Sequence, residues 1–173
     1  RPVRDMRDRE SDGAGANEES SFREVRQFYE EVTQIVERMH RRYLDVIRLE
    51  LQSLGIRDIN SVQALILVSM RDEEMLIRDL IQRYYYLGSS TNYNIKKLVE
   101  CGYLEHERAR HDRRSVRIRL SSKGRDLVAE LNQLQKQHAE MLAAEGDLSP
   151  DIQSTRKWLR RVERVWAEFI ELV

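Results

Sequence analysis

The sequence has little of what marks a secreted, disulfide-bonded or membrane protein. It contains one cysteine, two prolines and no net charge. Cys101 alone cannot form a disulfide within the chain, and no apolar run approaches the roughly 18 residues that predict a membrane span. These absences favour a cytoplasmic protein with no membrane contact. Its 173 residues are enough for one domain with a single hydrophobic core.

Catalytic and metal-binding patterns are also missing. No Ser/His/Asp or Cys/His set and no glycine-rich phosphate loop occurs, so the sequence predicts neither an enzyme nor a cofactor. His106 and His111 have no cysteine or paired carboxylate beside them, which favours a solvated or DNA-facing role over a metal site. Cys101 is interpreted as a packed thiol rather than a redox sensor, because Lys97 is its only activating neighbour.

Charge is distributed unevenly, although 30 Lys/Arg balance 30 Asp/Glu. Between Arg83 and Arg125 there are eleven basic and four acidic residues, an excess of seven positive charges that the rest of the chain offsets. The stretch HERARHDRRSVRIRL alone holds six of the arginines. A basic run is usually only a solvated face, so its meaning depends on the elements that carry it.

Apolar spacing divides the chain into helices and one hairpin. Residues 1–20 are charged and contain glycine, which predicts a flexible tail. Apolar steps of three and four residues predict a long helix over about 22–54 and short helices over 61–70 and 75–85. Tyr84-Tyr85-Tyr86, at the end of the predicted helix over 75–85, is interpreted as core rather than as a surface that stacks on nucleotides.

A helix-turn-helix followed by a hairpin is predicted in the basic region. Gly88-Ser89-Ser90 offers an N-cap for a helix that Gly102 ends. The apolar period then changes to two, which predicts two strands joined around His111-Asp112. Ser121 or Ser122 caps the next helix, and the last begins at Ser149-Pro150. Because the basic residues coincide with the second helix and the hairpin, the solvated-face interpretation is weakened.

One spacing within this region is specific. The chain reads Asp112-Arg113-Arg114, five residues, Leu120-Ser121, two residues and Gly124. With Ser in place of Thr, this resembles the signature of the MarR family of winged helix-turn-helix transcriptional regulators. Two positions depart from the family's pattern: Tyr85 stands where a turn glycine is usual, and Asn94 replaces an apolar residue.

The resemblance implies a mainly α fold with a small β hairpin. The tail would be followed by a single domain over 21–173, with the winged helix-turn-helix over about 56–122 and dimerisation helices over about 22–54 and 123–173. The long first helix and the Trp-containing last helix carry more apolar surface than a small winged domain can cover, which predicts a homodimer. Two-fold symmetry then predicts a palindromic site in double-stranded DNA.

Candidate DNA contacts follow from side-chain chemistry. Hydroxyls and amides at a helix start suit phosphate, Asn reads adenine edges, and Lys reaches guanine or phosphate. Arginines at a hairpin tip suit a narrow minor groove. The candidates are Ser89, Ser90, Thr91, Asn92, Tyr93, Lys96, Lys97, Arg110, Arg113 and Arg114. Capping is the alternative for Asn92 and Asn94. The resemblance implies that Asp112 pairs with Arg114 and shapes the wing; a solvated turn aspartate is the alternative.

The resemblance also implies a cavity for an aromatic acid or a phenol. Its candidate lining residues are Val36, Met39, His40, Tyr43, Leu67 and Met70. Ordinary core and interface packing is the alternative for the same residues. The predicted function is a dimeric, ligand-responsive regulator; the resemblance favours repression, whereas the residues themselves are equally compatible with activation. The alternative function is an architectural or protein-interaction module that binds DNA without sequence preference.

Overall fold

The computed structural model describes residues 8–86, 88–109, 112–146 and 149–172. The described backbone forms α1 (Asp8–Ser53), α2 (Ser61–Ser69), β1 (Met75–Leu76), α3 (Ile77–Tyr84), α4 (Gly88–Glu100), β2 (Leu104–Ala109), β3 (Asp112–Leu120), α5 (Ser122–Ala143) and α6 (Ser149–Glu171). The prediction of a mainly α fold with a small β element is confirmed. No described helix is both long enough and apolar enough to cross a membrane. The chain divides into two compact units, residues 1–65 and 66–173.

The first unit is dominated by α1, which begins earlier than the sequence predicts. The helix starts at Asp8, so residues 8–20 are helical where the sequence predicts a tail; residues 1–7 lie outside the described residues. Glu, Arg and Ala are good helix formers, and adding residues to an existing helix avoids the cost of nucleation. The glycines in this stretch therefore do not end the helix.

The start of α2 is fixed by a reciprocal cap in the same unit. The amide of Asn60 donates to Oε1 of Gln63 at 2.9 Å, and the amide of Gln63 donates to Oδ1 of Asn60 at 2.9 Å. The Ser61 hydroxyl donates to the carbonyl of Leu44 at 2.8 Å. These bonds satisfy amides that a helix start leaves unpaired, which explains why α2 begins at the position that the sequence predicts.

The wing of the second unit is a three-stranded antiparallel sheet in the order β1-β3-β2. The sequence predicts only the β2–β3 hairpin and assigns Met75 to the start of a helix. Instead, Met75 pairs with Ile118 and Leu76 pairs with Arg117. Met75 and Ile118 are both buried, so the pairing covers their side chains and satisfies backbone groups at the edge of β3.

The core of this unit is formed by apolar side chains of α3, α4, α5 and the strands. Leu80 of α3, Leu98 of α4, Ile118 of β3 and Leu131 of α5 are fully buried. The predicted cap of α5 is confirmed, because Oγ of Ser121 accepts a hydrogen bond from the amide of Gly124 at 3.0 Å. This core holds the start of α4 and the strands of the wing on a common support.

Candidate nucleic-acid interface

The helix-turn-helix is built by α3 and α4, and α4 also packs against β2. Tyr85 ends α3 in the left-handed conformation, with φ 54° and ψ 40°, and its amide donates to the carbonyl of Ile81. The sequence departs from the MarR pattern by placing tyrosine where a turn glycine is usual. The backbone nevertheless adopts the conformation that glycine would adopt most easily.

The two sides of α4 differ in burial and in chemistry. Ile95 and Leu98 are buried in the core, whereas Asn92, Tyr93 and Lys96 are exposed. Tyr93 is 69% exposed, and Ser89 in the first turn is exposed as well. Residues three and four apart share a helix face, so Ser89, Asn92, Tyr93 and Lys96 form one polar row. We call these four residues the α4 row.

Three further candidate DNA contacts on α4 lie outside the α4 row and differ in their exposure. Thr91 requires a correction, because it is 1% exposed and its hydroxyl is therefore not offered to a phosphate. It lies one turn before Ile95, on the side that faces the core. Lys97 is half-buried, and Ser90 is exposed beside the α4 row. Most of the candidate side chains on α4 are thus exposed, whereas Thr91 belongs to the buried side of the helix.

Ion pairs hold the outer face of the wing. Glu105 lies opposite Arg119 in the register of β2 and β3, and Nε of Arg119 donates to Oε2 of Glu105 at 2.7 Å. This hydrogen bond is the main reason that the pKa of Arg119 is raised above its ordinary value. Glu107 lies opposite Arg117, whose Nη1 is 3.9 Å from Oε1 of Glu74. Arg117 and Arg119 are therefore occupied within the protein.

Other basic residues of the region also have partners within the protein. Nη1 of Arg83 donates to Oε2 of Glu73 at 3.3 Å, a bond that raises the pKa of Arg83. Nη1 of Arg125 lies 3.8 Å from Oδ1 of Asp72 and donates to the carbonyl of Leu120. The acidic partners of both pairs precede Arg83 in the chain, outside the basic region that the sequence indicates. The run Asp72-Glu73-Glu74, directly before β1, is the signal that indicates them.

Lys123 is another basic residue that serves the fold. Its Nζ donates to the carbonyl of Cys101 at 2.8 Å and lies 4.1 Å from the centre of the Tyr103 ring. The excess of positive charge is therefore narrower than the sequence suggests. Among the described residues, it is concentrated on the exposed part of α4, where a polyanion meets less neutralised charge.

The tip itself is described only in part. Arg110 lies outside the described residues, as do the side chains of Asp112, Arg113 and Arg114. The backbone of Asp112 pairs with Ala109, and the register between β2 and β3 shifts at Arg108 and Ala109. The pairing of Asp112 with Arg114 therefore stays a prediction.

The remaining candidates are placed as follows. His106 is exposed on β2, His111 lies outside the described residues, and Cys101 is half-buried. Among the described residues, no three His, Cys, Asp or Glu side chains are grouped to hold a metal ion. Of the candidate effector residues, Val36, Met39, His40 and Tyr43 are exposed on α1 of the first unit, whereas Leu67 and Met70 of the second unit are fully buried.

Comparison with known proteins assigns this arrangement to a family. Residues 59–124 match a winged helix DNA-binding domain. The chain is 35% identical over 138 residues to the exopolysaccharide II synthesis transcriptional activator ExpG of Rhizobium meliloti (strain 1021), an alignment that covers 80% of this chain and 71% of ExpG. The structure of a cysteine-to-serine mutant of MarR from E. coli complexed with operator DNA is similar, with a TM-score of 0.62 and 17% identity over 76% of this chain and 92% of that one.

The chain belongs to the MarR family of winged helix-turn-helix transcriptional regulators. Another similar structure is that of BpsR from Bordetella bronchiseptica, whose DNA binding is regulated by 6-hydroxynicotinic acid. It has a TM-score of 0.57 and 20% identity over 78% of this chain and 98% of BpsR. The matched winged domain ends at Gly124, the last position of the MarR-like spacing.

Proposed function

We propose that this MarR-family protein is a homodimer that binds a palindromic operator in double-stranded DNA. In this proposal α4 lies in the major groove, and the arginines at the hairpin tip reach the adjacent minor groove. A small aromatic acid or phenol changes the affinity for the operator. The observation that carries the proposal is the α4 row, a set of exposed hydrogen-bonding and basic side chains on a helix whose opposite side is buried.

The chemistry of the α4 row supports sequence recognition. Asn92 can form two hydrogen bonds to one adenine edge, and Lys96 can reach a guanine or a phosphate. The Lys96 ammonium lies 4.0 Å from Oε1 of Glu100, a distance at which an exposed pair is weak and exchanges readily with another anion. Ser89 and Ser90 in the first turn suit a phosphate at the helix start.

Exposed apolar side chains on the terminal helices support the homodimer. On α6, Val165 is 60% and Phe169 is 67% exposed, and Trp158 and Trp166 are also partly exposed. On α1, Phe22, Val25, Ile35 and Met39 are exposed in the same way. Large apolar side chains gathered on a surface usually mark a contact with another chain. Two identical chains meeting through these helices would form a closed two-fold interface.

The family relatives support two further parts of the proposal. The DNA binding of BpsR is regulated by an aromatic acid, and this is the class of compound that we propose as effector. ExpG is an activator, so activation is a second candidate for the direction of control beside the repression that the sequence resemblance favours. In vitro transcription from a bound promoter, with and without the protein, distinguishes the two directions.

The central experiment is selection of bound sequences from a random-sequence DNA library, followed by a footprint on the selected DNA. We expect an inverted repeat whose half-sites lie about 10 base pairs apart, bound by a dimer. Uniform protection without a preferred sequence would instead support a nonspecific architectural module. Lys96→Ala should weaken binding and lower the salt slope by about one unit, while the matched control Lys157→Ala, on exposed α6, should leave the slope unchanged.

A further inference from the structure

The three consecutive tyrosines at the end of α3 have different surroundings. Tyr84 and Tyr86 are half-buried, and their ring centres lie 6.4 Å apart with 41° between the ring planes. The Tyr86 hydroxyl is 3.2 Å from Oγ of Ser69, within hydrogen-bonding distance. Tyr85 is 74% exposed. The sequence-based interpretation of the tripeptide as core is therefore wrong for Tyr85.

The conformation of Tyr85 is unfavourable for its residue type. Its φ of 54° lies in the left-handed region, which bulky L-residues avoid and which glycine and asparagine adopt more easily. Within the described part of the chain, the Tyr85 hydroxyl has no hydrogen-bond partner. The side chain therefore contributes little to folding. A mostly exposed side chain on a strained backbone points to a role outside the folded chain.

The position of Tyr85 indicates what that role is. Tyr85 caps α3 three residues before α4 begins at Gly88, and the exposed Ser89 and Ser90 follow in the first turn of α4. The left-handed turn projects the side chain outward, while Tyr84 and Tyr86 on either side stay against the protein. Phenol hydroxyls are regular donors to DNA phosphates, and such contacts fix the position of a reading helix.

We propose that Tyr85 donates a hydrogen bond from its hydroxyl to a DNA phosphate beside the bases that α4 reads. This inference rests on the proposed DNA-binding function and adds a positioning contact to it. Because the phosphate is present in every sequence, the contact strengthens binding to selected and random DNA alike. Because tyrosine carries no charge, it releases no counterion and leaves the salt slope unchanged.

The test compares Tyr85→Phe, Tyr85→Gly and the control Tyr86→Phe in the full chain. Binding is measured to the selected DNA and to a random-sequence duplex of the same length, at several salt concentrations. Tyr85→Phe should weaken binding to both duplexes about tenfold, with the same salt slope and the same melting temperature as the wild type. Tyr85→Gly should weaken binding as much while raising the melting temperature, because glycine adopts the turn without strain.

Tyr86→Phe loses a hydroxyl of the same kind, but one that faces Ser69, and should bind both duplexes like the wild type. Wild-type affinity in Tyr85→Phe, or an equal loss in Tyr86→Phe, would overturn the inference, and so would a loss confined to Tyr85→Gly. Failure of the proposed function is distinguishable, because the wild-type protein would then bind neither duplex or bind both with equal affinity. The opposite movement of stability and affinity in Tyr85→Gly is the result that a purely structural role cannot produce.

Discussion

The backbone of Gly124 lies directly against the carbonyl of Tyr103, so closely that a methyl group at position 124 would overlap the oxygen. The same junction holds Ser121, whose hydroxyl donates to the carbonyl of Gly102 at 2.6 Å and accepts from the amide of Gly124. The first turn of α5 is thus joined to the segment between α4 and β2. This contact gives the last position of the MarR-like spacing a physical reason, since only glycine fits there.

Gly124→Ala is therefore expected to destabilise the fold. The added methyl group must push the α5 turn away from Tyr103, and forced overpacking of this kind costs about 1–3 kcal/mol. The free energy of unfolding in urea, measured by circular dichroism, checks the prediction. Ser122→Ala is the matched control, because Ser122 is exposed in the same turn and should change stability by less than about 0.5 kcal/mol. Unchanged stability in Gly124→Ala would mean that the junction is less tight than described.

We expect the arginines of the wing to differ in their effect on DNA binding, because some are held in ion pairs within the protein and others are proposed to contact DNA. Exchanging the members of one ion pair, Glu105→Arg together with Arg119→Glu, keeps the net charge and an opposite-charge pair across β2 and β3. We expect the doubly substituted protein to bind DNA with wild-type affinity and salt slope, because Arg119 is occupied by Glu105. A clear loss of affinity in the exchanged pair would show that Arg119 itself touches DNA.

The tip arginine Arg113 should behave in the opposite way. Arg113→Ala removes a predicted contact to phosphate or to the minor groove, so it should weaken binding and lower the salt slope by about one unit. The melting temperature should stay close to that of the wild type. DNA titrations at several salt concentrations compare the wild type, Arg113→Ala and the protein with the exchanged Glu105–Arg119 pair, which is the control. Equal salt slopes for these three proteins would contradict a difference between Arg113 and Arg119.

The proposed homodimer can be tested without disturbing the fold of one chain. Phe169 is 67% exposed, so replacing it with Asp removes little buried contact within the chain. In a two-fold interface the substitution places two carboxylates against apolar surface, which should shift the protein to monomer and weaken operator binding. Light scattering with size-exclusion chromatography measures the mass. Glu168→Ala, the neighbouring exposed position, is the control, and a dimeric Phe169→Asp protein would exclude this part of α6 from the interface.

The proposed effector should act on stability and on DNA binding together. An aromatic carboxylate or phenol that prefers one of two conformations should raise the melting temperature and change operator affinity. His40→Ala should reduce the response to a carboxylate, whereas His138→Ala, an exposed histidine on α5, should not. If a broad panel of such compounds alters neither quantity in the wild type, the cavity that the resemblance implies does not exist in this chain.

Periodic and capped elements could be predicted from the sequence, whereas features set by distant contacts could not. The apolar steps and caps predicted α2 nearly to the residue, whereas α4 begins at Gly88, within the segment that the sequence assigns to its cap, and α5 ends about three residues earlier than predicted. Strand β1 has only two residues and no period of its own, and its pairing with β3 depends on a segment about 40 residues later. The burial of Thr91 and the exposure of Tyr85 also differ from the predictions. Their residue types favour surface and core respectively, and the orientation of the backbone decides otherwise.

Asp112 provides the sharpest test of the wing, because two roles predict opposite signs. Asp112→Ala removes a negative charge from the tip that we propose to lie against DNA, so simple electrostatics predicts tighter binding. If Asp112 instead pairs with Arg114 and shapes the hairpin, as the resemblance implies, the loss of that pair should weaken binding despite the more favourable charge. Affinity for the selected DNA is measured at several salt concentrations, since the electrostatic gain fades with salt whereas a defect of shape persists. Asp126 is an exposed aspartate on α5, so Asp126→Ala controls for the change in net charge. Tighter binding by Asp112→Ala would contradict the structural role of Asp112.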